Sequence, residues 1–161
     1  AKDIVNSWKE ENLADIIYGY GEEQFSRRIA KGIVEARKIK PIETTFELVE
    51  IINKSVPNLY KKGKINPATK TFQALRIAVN DELGAIEEGL NKSFEVLKSK
   101  RRMSVISFHS LEDRIVKRFF KEKEKNSEGI LINKKPIIAS EIEIKENSRS
   151  RSAKLRIIEK I

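Results

Sequence analysis

Cysteine is absent from all 161 residues, which excludes disulfides, cysteine-ligated zinc and thiol nucleophiles and makes a cytoplasmic location the default expectation. A single histidine, His109, has no second histidine or cysteine with which to complete a metal site or a catalytic dyad, so no metal ligand set is expected. The seven glycines never gather into a Walker sequence or a G-x-G-x-x-G turn, and nothing here would bind a nucleotide cofactor by itself. Long apolar runs are also missing. The opening Ala1-Lys2-Asp3-Ile4-Val5-Asn6 lacks the apolar core of a signal peptide, and no stretch approaches the length needed to cross a bilayer.

What is present is charge. Thirty-three Lys and Arg stand against 24 acidic residues, a net +9 that favours a polyanionic partner through phosphate contacts and counterion release. Nucleic acid and an anionic membrane surface both fit that balance. The basic residues lie in segments that also carry Glu, so a merely solvated surface is the plain alternative. With 39% apolar residues the chain can form one ordinary domain, or a small domain beside part of a larger one.

The first half reads as short amphipathic helices. Ser7 and Glu10 have capping-box spacing, and Leu13, Ile16, Ile17 and Tyr20 follow at helical intervals up to Gly21. A second helix is expected over 23–37, burying Phe25, Ile29 and Ile33 while Arg27, Arg28, Lys31 and Arg37 project elsewhere. Thr44 and Glu47 form another box ahead of Leu48, Ile51, Ile52 and Val56, and Pro57 stops that helix. Residues 58–63 read as a linker. Asn66 and Pro67 then open one long helix, with Phe72, Val79 and Ile86 beside Leu83, Leu90 and Leu97 as its apolar ladder.

The second half changes period. Met103 to Phe108 is a strand-length apolar run expected to be buried on both faces, and Ser110 is placed to cap a helix carrying Ile115, Val116, Phe119 and Phe120. Short apolar runs at 130–132 and 136–138, and the alternation through 155–158, read as further strands separated by a charged loop. Helix, strand, corner and helix predict part of an α/β sheet.

His109 sits where the strand gives way to a helix, the edge at which open α/β folds bind ligands. A lone histidine is more often a loop-stabilising hydrogen bonder, and a structural or substrate-positioning role is favoured over proton transfer. A serine hydrolase built on Ser107, Ser110 and His109 has no G-x-S-x-G elbow to support it. Asn80-Asp81-Glu82 would suit a ribose, a cation or a basic loop, but pairing with a neighbour such as Arg76 is the simpler reading. Arg149, Arg151, Lys154 and Arg156, interleaved with serines, suit phosphate oxygens, with a disordered basic loop of about equal weight. Trp8, Tyr18, Tyr20 and Tyr60 offer stacking surfaces for unpaired bases, although most of them are expected in the core.

Three blocks carry a family resemblance: Asn66 to Leu83 (NPATKTFQALRIAVNDEL), Val105 to Lys117 (VISFHSLEDRIVK) and Ser148 to Arg156 (SRSRSAKLR). Together they closely resemble the RsmH (MraW) family of bacterial enzymes that methylate a cytidine of small-subunit ribosomal RNA with S-adenosylmethionine. The resemblance extends from about Asn6 to the C-terminus. It implies an α/β fold in which a helical substrate (RNA) recognition domain, 1–63, precedes the C-terminal part of a class I Rossmann-like methyltransferase domain, 64–161. It implies methyl transfer to the exocyclic N4 amine, with small-subunit ribosomal RNA or the small ribosomal subunit as partner, no membrane, and a homodimer of the intact enzyme left open.

Substrate contacts are expected from Arg27, Arg28, Lys31, Arg149 and Arg151 to phosphates and from Asn80, His109 and Ser110 to the cytidine or its ribose; no catalytic base is assigned. The family's cofactor-binding elements lie ahead of the region seen here, so this chain is expected to be inactive alone. Asn66 stands where the family usually has histidine, Lys100-Arg101 replaces a customary Gly-Gly turn, and Ser148 replaces a proline. A non-catalytic RNA-binding module is the rival reading, and a cofactor-free hydrolase built on His109 a remote one.

Overall fold

The computed structural model describes residues 1–63 and 66–161; Lys64 and Ile65, on which the expected domain boundary falls, lie outside the described residues. The chain divides into two compact units, Ala1–Glu82 and Leu83–Ile161. By compactness the division therefore comes later than Gly63.

The first unit holds α1 (Lys2–Ser7), α2 (Glu10–Gly19), α3 (Ser26–Ile39), α4 (Thr45–Ser55), α5 (Asn58–Lys61) and α6 (Ala68–Asn80). Its core is made where the apolar stripes of α2, α3, α4 and α6 meet, with Leu13, Ile17, Ile29, Ile33 and Ile52 wholly buried beside Leu48 and Leu75. Burying each such side chain contributes about 1.5–3 kcal/mol, so these stripes fix the packing. Gly21 allows the close approach of the α2–α3 link to α6, since a Cβ there would stand 2.6 Å from the carbonyl oxygens of Ile17 and Lys70.

Two helix ends depart from the sequence reading. The box at Ser7 does not form: Ser7 ends α1 and donates its hydroxyl back to the Asp3 carbonyl at 2.5 Å, while Lys9 precedes α2 without a side-chain cap. Glu22 turns into the left-handed region, φ 49°, and α3 starts only at Ser26. The box at Thr44 forms as expected, its hydroxyl accepting from Glu47 N at 3.2 Å while Glu47 Oε2 accepts from Thr44 N at 2.9 Å. A hydrogen bond from Lys40, with those from the Glu43 and Thr44 amides, holds the Glu47 carboxyl down at about 2.

The long helix expected from Pro67 onward is two helices. Asp81 takes up φ 46°, ψ 44° and closes α6, and α7 (Glu82–Val96) begins afresh. One left-handed residue re-aims the chain, so Phe72 and Leu75 serve the first core and Leu90 and Phe94 the second. Val79, read as part of a single stripe, is consequently 49% exposed. Asn66 caps as expected, its side-chain oxygen accepting from Ala68 N at 2.9 Å.

The second unit continues with β1 (Arg102–Ser107), α8 (Ser110–Lys125), β2 (Gly129–Leu131), β3 (Ile137–Ile138), α9 (Glu141–Glu146), a 3-10 turn (Ser148–Ser152) and β4 (Lys154–Lys160). It is a mixed α/β unit with a small antiparallel sheet in which β4 lies between β1 and β2 and also pairs β3. The register runs from Arg102 opposite Glu159 to Ser107 opposite Lys154, and Gly129 faces Lys160. Since β1 and β2 both oppose β4, they run parallel to each other, and α8 is the crossover between them.

The two-sided burial expected for β1 is not found. Met103 and Val105 point to the helix-covered face, where they meet Leu90, Phe94, Val116, Phe120 and Ile158, whereas Ile106 is 57% exposed on the other. The charged stretch before β4 is not a plain loop either, because Ser140 caps α9 and Asn147 caps the 3-10 turn.

The entry to β1 is intact despite the missing Gly-Gly. Lys100 adopts the left-handed φ of 59° that a glycine would take without strain, and the Lys100 and Lys160 amides donate to Lys160 O and Arg101 O at 2.8 and 2.9 Å. Lys160 also closes α7, its ammonium donating to the carbonyls of Phe94 and Glu95 at 2.8 and 3.1 Å.

Candidate nucleic-acid interface

Of the eight side chains singled out from the sequence, Arg27, Arg28, Lys31 and Asn80 belong to the helical unit and His109, Ser110, Arg149 and Arg151 to the sheet unit. Arg27, Arg28 and Lys31 follow one another on the exposed side of α3, within one turn of each other. Lys31 lies 3.8 Å from Glu35, both well exposed, and the Arg28 guanidinium stands 5.9 Å from the centre of the Phe25 ring. Arg37, grouped with them in the sequence reading, is spent on structure: it donates to the carbonyls of Val5 and Trp8 at 2.7 and 2.5 Å and ties α3 to the end of α1.

Asn80 closes α6 beside an ion pair. Arg76 makes a two-pronged contact to Glu82, 2.8 and 3.1 Å, and the Asn80 amide donates to the same carboxylate at 3.2 Å. The simpler reading of this cluster, pairing with Arg76, therefore holds. Asn80 also lines a groove of about 390 Å³ floored by Phe72, Leu75 and Val79.

At the carboxyl end of β1 the amides of Phe108, His109, Glu112 and Asp113 already have acceptors within the corner. His109, not Ser110, is the cap of α8: its Nδ1 accepts from Glu112 N at 3.4 Å, and Glu112 Oε2 accepts from the amides of Phe108 and His109 at 2.7 and 3.2 Å. The imidazole Nε2 is buried 3.3 Å from Glu112 Oε1 and makes no well-formed hydrogen bond. An imidazole whose Nδ1 is an acceptor within its own helix start orders the corner, as the loop-stabilising reading anticipates.

The basic turn before β4 separates into exposed and buried charge. Ser150 is buried and donates to the Asn147 carbonyl at 2.8 Å, which leaves Arg149 and Arg151 on the solvent side of the 3-10 turn. Arg156 points inward instead. It holds Asp113 with contacts of 2.7 and 3.2 Å, while Lys154 lies 3.5 Å from the same carboxylate. Burial works against the charge on Asp113, yet the Arg156 guanidinium and the Lys154 ammonium together keep its carboxyl below the usual range. Arg156 is thus corrected from a phosphate donor to part of a buried ion pair, while Lys154 stays 39% exposed at its margin.

Known proteins resemble this chain in sequence over essentially its whole length. Residues 1–161 match the profile of the MraW methylase family. The chain belongs to the MraW methylase family. Ribosomal RNA small subunit methyltransferase H of Coprothermobacter proteolyticus is 54% identical over 99% of this chain, which corresponds to 52% of that protein. The protein of the same name from Synechocystis is 55% identical over the whole chain and 51% of its own length, and that from Persephonella marina 52% identical over 55% of its length. The chain spans about half the length of the curated relatives it matches.

A methyltransferase of this family implies a methyl donor. No glycine among the described residues has a positive φ, and at the β1–α8 corner the amides of Phe108 and His109 already donate to Glu112. No donor chemistry is therefore derived from this chain. The Asp113–Arg156 pair escaped the sequence reading, although a signal existed: Arg156 shares the inward parity of Ile158, and a charge at an inward strand position requires a partner. The expectation that most aromatics are buried fails for Tyr18, 66% exposed, and Trp8, 36% exposed.

Proposed function

We propose that this chain is the RNA-docking and sheet-completing portion of a methyltransferase that modifies the N4 amine of a cytidine in small-subunit ribosomal RNA, acting in the cytoplasm. The donor pocket for S-adenosylmethionine, which supplies an electrophilic methyl group, lies on this reading in the part of the family's length that this chain does not span. The carrying observation is the identity of more than half over essentially the whole chain with relatives named ribosomal RNA small subunit methyltransferase H.

On this reading residues up to Gly63 recognise the RNA and the rest completes a Rossmann-like domain. Arg27, Arg28, Lys31, Arg149 and Arg151 contact phosphates, and exposure of all five supports that role. His109 and Glu112 hold the β1–α8 corner rigid, so that Ser110 meets the cytidine or its ribose from a fixed frame. Among the described residues no helix is long and apolar enough to cross a membrane.

A methylation assay with radiolabelled donor and small-subunit RNA tests this reading. The 161-residue chain is expected to transfer nothing, and a version extended to the relatives' full length is expected to label the RNA. Label transferred by the short chain alone would contradict the placement of the donor pocket, and no label in either form would favour a non-catalytic RNA binder.

A further inference from the structure

Two hollows adjoin on the helical unit and share the wall formed by Gln24 and Phe25. One, of about 590 Å³, is lined by Phe25, Leu59, Tyr60 and Lys70. The other, of about 430 Å³, is lined by Asp15, Tyr18, Arg27 and Arg28. Tyr18 and Leu59, one on either side of that wall, are 66% and 83% exposed and so offer apolar surface to a ligand.

The rings of the first hollow are held in place at some expense. Glu23 is wholly buried, and its two carboxylate oxygens accept from Phe25 N at 2.9 Å and from the Tyr60 hydroxyl at 2.6 Å. Burial and the Glu23 contact push the Tyr60 phenol up to about 12, so it remains a neutral donor. The consequence is a fixed edge-to-face pair, Phe25 and Tyr60, with ring centres 4.9 Å apart. A carboxylate buried to orient two half-exposed rings is costly as core design and useful as a rigid stacking platform.

We propose that these hollows form a track for unpaired RNA, with successive nucleobases seated against Tyr60 with Phe25 and against Tyr18. Gln24 faces base edges from the shared wall, while Arg27, Arg28 and Lys70 meet the intervening phosphates. Unpaired bases expose the faces that such rings bind, whereas a duplex hides them, so the chemistry selects single-stranded segments. Asp15 stands against phosphate and accepts instead from exocyclic amines. This inference rests on the RNA reading above and names where and in what form the RNA is bound.

The test compares the 161-residue chain's affinity for an eight-nucleotide oligocytidylate, an abasic oligonucleotide of equal length and a short RNA duplex. The oligocytidylate is expected to bind about fivefold or more tighter than the abasic strand, as one stacked base provides. Tyr18→Ala, at an exposed site that leaves the circular dichroism unchanged, is expected to remove about fivefold from the oligocytidylate and nothing from the abasic strand. Phe25→Leu, which keeps an apolar side chain, gives an independent second reading with the same expectation. Equal affinity for the two strands, or indifference to both substitutions, overturns the track. Binding confined to the duplex and lost with Arg149→Ala and Arg151→Ala overturns the track while leaving RNA docking standing. Absence of any RNA binding at low salt removes both.

Discussion

The helical unit closes its apolar core on itself, whereas the sheet unit buries one face of its sheet and leaves Ile106, Ile130 and Ile132 on the other at 57%, 53% and 42% exposure. Their charges differ too. The helical unit has 14 Lys and Arg against 12 acidic residues, and the sheet unit has 19 against 12. In the sheet unit β1 is also the end of the strand order, so its outer edge carries unpaired backbone groups among the described residues. An apolar face beside an open edge is a feature that folded proteins usually cover. On the proposed function, the cover is the donor-binding part of the family's length.

Substitutions on the two faces of the sheet unit break or sharpen this contrast. Phe120, 1% exposed on the covered face, is expected to cost about 4 kcal/mol when replaced by Ala, read as a fall in the urea midpoint. Arg156→Met is expected to cost about 3 kcal/mol because it strands the buried Asp113 charge. The pH dependence has a defined sign. Asp113 titrates below 3.8 in the folded chain, so its contribution is full above that value and is lost as pH falls through the lower folded value. Arg156→Met should therefore flatten the acid limb of the stability profile.

His109→Ala removes the α8 cap and is expected to cost about 1 kcal/mol in the same denaturation experiment. Lys100→Gly is expected to stabilise by about 0.5–1 kcal/mol, because the left-handed backbone at φ 59° ceases to strain a side chain, less the extra entropy of an unfolded glycine. Ile106→Thr, on the uncovered face, should change stability by less than about 0.5 kcal/mol in this chain. Were Ile106→Thr as damaging as Phe120→Ala, the distinction between the faces would fail.

Much of the helical unit was legible because its helices carry long 3.6-residue stripes, as α3 and α4 do, and because the Thr44–Glu47 box is local chemistry. The strands were legible as apolar runs. The break at Asp81 was not, since the apolar spacing continues across it and only a left-handed aspartate interrupts the helix. The covering of β1 was misread for a related reason: Met103, Val105, Ile106 and Phe108 read as a short apolar run that suits a two-faced strand, and which face is met depends on distant chain. At the candidate site the exposed cations were visible as charge, but the turning inward of Arg37 and Arg156 depends on contacts more than thirty residues away, 32 and 43 positions respectively. His109 was read as structural or substrate-positioning, and the cap that it provides had been assigned to Ser110, one residue away.

Calorimetric titration with S-adenosylmethionine, run side by side on the 161-residue chain and on a version extended to the relatives' full length, measures the central proposal at its source. The account predicts no saturable heat from the short chain and one-to-one binding by the extended one. One-to-one binding by the 161-residue chain alone would contradict it.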